Sequence, residues 1–187
     1  LGAPADVVLL ANADWMDYLA VQGAIEPESQ SDFASNRLVL MAKLGHPVVA
    51  LDQADIADAL GDGRLAVGLT NAVPAGIYAK AALQSLGLWD AVKDRLAEVD
   101  NVRAALALVA RGQAPLGVVY RTDLRASPDV AEVAVFPAQS HPPIRYVGAV
   151  VNDASGEARA FWDYVRGPEG QAILAQAGFL PAAGPVQ

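Results

Sequence analysis

Short, continuous apolar runs at 7–10, 38–42, 65–68, 116–120, 133–136 and 146–151 are separated by longer stretches whose apolar positions recur at helical spacing. A run that is apolar at every position, rather than at alternate ones, marks a strand covered on both faces. The order of runs and helical stretches therefore predicts an α/β chain built on parallel sheet. Asn12 is placed to cap a helix through Trp15, Leu19 and Val21 that stops at Gly23, and a second helix over 52–60 ends at Gly61. Pro74 opens a third over 75–85, since its missing N–H is not needed in a first turn. A short helix is expected at 92–96. Asn101 caps another over 102–110, and helices over 157–165 and 168–176 close the chain before Gly178. The Pro-, Gly- and Ala-rich tail after Phe179 predicts a frayed end.

Composition narrows the function. The chain has 187 residues, 53% of them hydrophobic, yet no run approaches the ~18 apolar residues of a membrane span. A net charge of −8 with scattered Lys and Arg argues against nucleic-acid binding, which needs clustered cations. With no cysteine, disulfides, thiolate chemistry and Cys-ligated metals are excluded. An acidic chain that binds an anion must attract it with backbone dipoles and hydrogen-bond donors, because its overall field is repulsive.

Three segments offer such donors. In Val73-Pro74-Ala75-Gly76-Ile77-Tyr78-Ala79 a helix start leaves first-turn N–H groups unpaired behind small residues. Asp100-Asn101-Val102-Arg103 repeats the arrangement, with Asn101 as cap. Val119-Tyr120 ends an apolar strand, the place where ligands of open α/β sheets collect. Each alone also reads as ordinary structure: a helix start, a capped helix, a tyrosine packed at a rim. Arg103 and Arg121 adjoin these segments and are expected in surface ion pairs, while Trp15, Trp89 and Trp162 fit helix packing. His46 and His141, each beside proline, have no metal-ligand spacing, there is no Gly-x-Ser-x-Gly elbow, and Gly61-Asp62-Gly63-Arg64 lacks the Gly-Lys-Ser/Thr ending of a phosphate loop.

Taken together, and with Gly2-Ala3-Pro4-Ala5-Asp6, Trp15-Met16-Asp17, Asn36-Arg37-Leu38-Val39, Gly63 to Gly68, Ala114 to Tyr120 and Phe161-x-Asp163-Tyr164-Val165-x-Gly167-Pro168, these motifs make the chain resemble the periplasmic molybdate-binding proteins of ABC importers. The resemblance implies a type II periplasmic binding protein fold. Two α/β lobes joined by two hinge strands are expected, lobe 1 from 1–37 plus 150–187 and lobe 2 from 38–149. It also implies a non-enzymatic carrier without cofactor that holds molybdate or tungstate between its lobes, through the backbone N–H groups of Ala75 and Val102 and the Tyr120 hydroxyl, and delivers it to a membrane permease.

The family pattern starts earlier, with a strand, a helix and a strand whose loops carry two serines of the anion shell. The first lobe is therefore expected to be N-terminally truncated, with any secretion signal upstream. At about 1.5–3 kcal/mol per lost hydrogen bond to a charged group, binding is expected to be weaker by about two to four orders of magnitude or lost altogether. An uncovered sheet edge predicts self-association or element swapping into a homo-oligomer. The alternative reading is a self-associating interaction module that no longer binds an oxyanion.

Overall fold

The computed structural model describes residues 5–182; the Gly2-Ala3-Pro4 part of the first motif and the end of the tail lie outside them. In chain order the elements are β1 (Val7–Leu10), α1 (Ala13–Val21), β2 (Ser31–Ala34), β3 (Leu38–Lys43), α2 (Gln53–Leu60), β4 (Leu65–Gly68), α3 (Pro74–Ser85) and α4 (Trp89–Val92). They continue with β5 (Leu96–Val99), α5 (Val102–Ala110), β6 (Leu116–Tyr120), β7 (Val130–Val135), β8 (Tyr146–Val150), α6 (Gly156–Arg166) and α7 (Pro168–Gln176). Among the described residues, no helix is long and apolar enough to cross a membrane.

The chain divides into two compact units, one formed by Leu1–Asn36 with Ile144–Gln187, the other by Arg37–Pro143. In the first, β8 is the central strand of a sheet ordered β1-β8-β2, antiparallel to both neighbours. Val147 and Ala149 of β8 pack with Met16 and Ile25, while Val150 joins Phe33, Ala158 and Trp162 on the other face. Trp162 is fully buried and its indole N–H donates to the Ser29 carbonyl at 2.8 Å. Arg145 clamps Asp32 with two hydrogen bonds of 2.6 and 2.9 Å. The packing expected of Trp15 is not seen: the residue is 56% exposed, and its ring meets that of Tyr18 edge-on.

The second unit holds a five-stranded sheet ordered β5-β4-β6-β3-β7. β4 runs parallel to β5 and β6, whereas β3 runs antiparallel to β6 and β7. The all-parallel sheet expected from the apolar runs is thus corrected. β3 is buried along Leu38–Ala42 because both its faces are covered, and coverage, not strand direction, is what a continuous apolar run reports. On one face Val39, Met41, Ala66 and Val119 pack under Ala105, Leu106 and Val109 of α5. The helix expected at 92–96 is also corrected: α4 ends at Val92, a short 3-10 turn follows, and Leu96 begins β5.

Candidate functional site

Because β4, β5 and β6 are mutually parallel in register, their C-terminal ends fall on one edge of the second unit's sheet. That edge receives all three segments singled out by sequence. β4 leads through a turn into α3, β5 leads into α5 two residues later, and Tyr120 is the last residue of β6. Leu38 pairs with Tyr120, so β3 begins at the same edge.

The start of α3 is built for close approach. Val73 provides no side-chain cap and Pro74 has no N–H, so Ala75 and Gly76 precede the first helical hydrogen bond, made by Ile77 N–H to the Val73 carbonyl at 2.9 Å. Their N–H groups project from the positive end of the helix. Gly76 is required by packing: a Cβ there would stand 2.1 Å from the Gly68 carbonyl oxygen and 2.6 Å from that of Leu69. The turn before it is held by Glu98 on β5, whose carboxylate accepts from the Thr70 N–H at 2.8 Å and the Thr70 hydroxyl at 2.7 Å. Those two bonds hold the Glu98 carboxyl below its ordinary pKa.

At α5 the Asn101 side chain caps the Ala104 N–H at 2.9 Å, and the Ala105 N–H reaches the Asn101 carbonyl at 3.3 Å. Val102 and Arg103 therefore lie ahead of the helix's own ladder. Tyr120 is 5% exposed, its hydroxyl is buried, and its ring meets that of Tyr78 edge-on at 6.4 Å. Tyr78, one turn into α3, contacts the His141 ring at 5.9 Å and reaches the Pro143 carbonyl with its hydroxyl at 3.4 Å.

Arg103 and Arg121 do form ion pairs, with Asp123 at 3.4 Å and Glu132 at 3.0 Å. Sequence reasoning gave no place to Tyr78 as a support for Tyr120, nor to Asp123, whose carboxylate accepts from the Tyr120 N–H at 3.2 Å. Tyr78 lies inside the first motif, so its position there was a usable signal; Asp123 had none beyond following Tyr120 by three residues. Burial pushes the Asp123 carboxyl above its ordinary pKa, with the Tyr120 N–H and Arg103 pulling the other way. Among the described residues no group of three or more His, Asp or Glu is placed to hold a metal ion. The edge thus presents neutral donors, two helix starts and a phenol, suited to an anion with no proton to give.

A family model described as bacterial extracellular solute-binding protein matches residues 1–180. The molybdate-binding protein ModA of Escherichia coli is 42% identical over 186 residues, covering 95% of this chain and 71% of that protein. That of Haemophilus influenzae is 43% identical over 181 residues, with the same coverage of 95% and 71%. Among solved structures, the Azotobacter vinelandii periplasmic molybdate-binding protein matches with a TM-score of 0.82 at 26% identity, over 97% of this chain and 80% of that one.

Proposed function

We propose that this chain, which belongs to the bacterial extracellular solute-binding protein family, binds molybdate in the periplasm and passes it to the membrane permease of an ABC importer, with tungstate as a second ligand. The observation that carries this reading is that the segments with Ala75, Val102 and Tyr120 follow or end three adjacent parallel strands at one sheet edge, in a chain 42% identical to a molybdate-binding protein. Molybdate near neutral pH is an unprotonated dianion, so a shell of donors alone suits it. Hydrogen phosphate carries a proton that needs an acceptor, and donors alone leave that proton unmatched. Nothing in the likenesses supports an interaction module that has lost oxyanion binding.

Isothermal titration checks the proposal. Molybdate and tungstate are expected to bind with one ion per chain, and phosphate to give no saturable heat. Silence with molybdate, or equal affinity for phosphate, contradicts it.

Self-association belongs to the same proposal as a property of the isolated chain. The exposed side chains of Leu9, Trp15, Tyr18 and Val21 in β1 and α1 support it. Sedimentation velocity is expected to show a concentration-dependent increase that Trp15→Glu reduces; a monomer at every concentration argues against it.

A further inference from the structure

We infer that Asp123 is a positioning residue for oxyanion capture, a single carboxylate that fixes the start of α5 relative to the end of β6. The inference rests on the proposed function, because it concerns how two of the proposed donors are held. One Asp123 oxygen accepts from the Tyr120 N–H at 3.2 Å, and the other faces the Arg103 guanidinium at 3.4 Å. Arg103 immediately follows Val102 in the first turn of α5. A rigid two-oxygen group thereby spans the elements that carry the Val102 N–H and the Tyr120 hydroxyl. Donors that must meet one small ion lose effectiveness when displaced by a fraction of an ångström, so such a brace acts on affinity.

Asp123 is the third residue of the 3-10 turn Arg121–Ala126 and caps the Tyr120 N–H from there, a local role that a neutral acceptor also fills; a carboxylate needs a further reason, because simple electrostatics is against it. Negative charge beside a dianion site repels the ligand, and Asp123 is only 8% exposed, so its ionised form is also poorly solvated. Arg103, with a side chain 67% exposed, keeps most of its contact with water and offsets only part of the cost of burying the charge. What the carboxylate alone offers is two acceptors at fixed separation, one for each element. Glu98 anchors the turn before α3 differently, with one oxygen accepting from both the N–H and the hydroxyl of Thr70.

The two accounts predict opposite signs for Asp123→Asn. The amide keeps an oxygen for the Tyr120 N–H but cannot pair with Arg103. If Asp123 were only a repulsive charge, the variant would bind molybdate more tightly. As a brace, its loss weakens molybdate binding by about tenfold, within the range of coupling between contacting residues. Arg103→Gln is expected to weaken binding too, but to add less than about twofold on top of Asp123→Asn, because both act through one contact.

Two further readouts separate bracing from general damage. In the ligand-free protein the amide resonances of Val102 and Arg103 are expected to shift in Asp123→Asn. The thermal midpoint is expected to hold or rise, because the amide replaces a carboxyl whose ionised form burial disfavours; the stability that the raised folded pKa of Asp123 contributes at low pH is lost as pH rises through it. Unchanged or tighter molybdate binding, or a Val102 amide that does not move, overturns the inference. If the native chain takes up no molybdate, it is the proposed function that fails, and the ligand-free response of Val102 to Asp123→Asn and Arg103→Gln then decides whether the brace exists.

Discussion

Tyr120→Phe weakens molybdate binding by about one to two orders of magnitude while the fold keeps its stability. The arithmetic is that of one hydrogen bond to a charged ligand, about 1.5–3 kcal/mol, or roughly tenfold to 150-fold in affinity. Stability is spared because the ring does the packing: Tyr120 is 5% exposed and meets Tyr78 at 6.4 Å, and phenylalanine retains that contact. The backbone is untouched as well, with the Tyr120 N–H still donating to Asp123 and Leu38 still its partner in the sheet. Paired titration and thermal unfolding check this. Unchanged affinity removes the hydroxyl from the anion shell, and a large fall in midpoint shows that the phenol holds the fold instead.

Gly76→Ala produces the larger structural effect. The added methyl carbon would lie 2.1 Å from one backbone carbonyl oxygen and 2.6 Å from another, and neither can swing aside as the end of a side chain could. Either α3 moves away from the end of β4 or the turn through Leu69 rearranges. Overpacking against fixed atoms costs about 1–3 kcal/mol, and with backbone on both contacts the upper end is expected. The displacement acts directly on the Ala75 and Gly76 N–H groups, so molybdate binding is expected to fall by at least about a hundredfold, more than for Tyr120→Phe. Urea unfolding and titration of the variant measure the two effects. Native-like stability and affinity together show that the helix start is loose and that its close approach is not needed.

Much of this arrangement is legible in the chain because it is encoded locally. Asn101 announces the start of α5 and its side chain accepts the Ala104 N–H as an N-cap should. Pro74 fixes the first turn of α3, and the apolar runs mark β4 and β6 to the residue. The parts that escaped depend on neighbours distant in sequence. β5 is only Leu-Ala-Glu-Val, with an exposed Glu98 whose use as a clasp for Thr70 cannot be seen along the chain. β2 begins with Ser31 and Asp32, and Asp32 belongs in a strand because Arg145 reaches it across the sheet. The direction of β3 is set by what lies beside it, since a fully covered strand looks the same run either way. Asp123 takes its meaning from Arg103, two elements earlier in the chain.

In the proposed function, the ends of β4, β5 and β6 receive the oxyanion through backbone N–H groups and one phenol. Titrating the isotopically labelled protein with molybdate while following every amide by two-dimensional NMR tests it most directly. Saturable shifts are expected at Ala75, Gly76, Val102 and the residues around Tyr120 in the second unit, reproduced by tungstate and absent with phosphate. Molybdate binding whose shifts leave Ala75 and Val102 unmoved contradicts it.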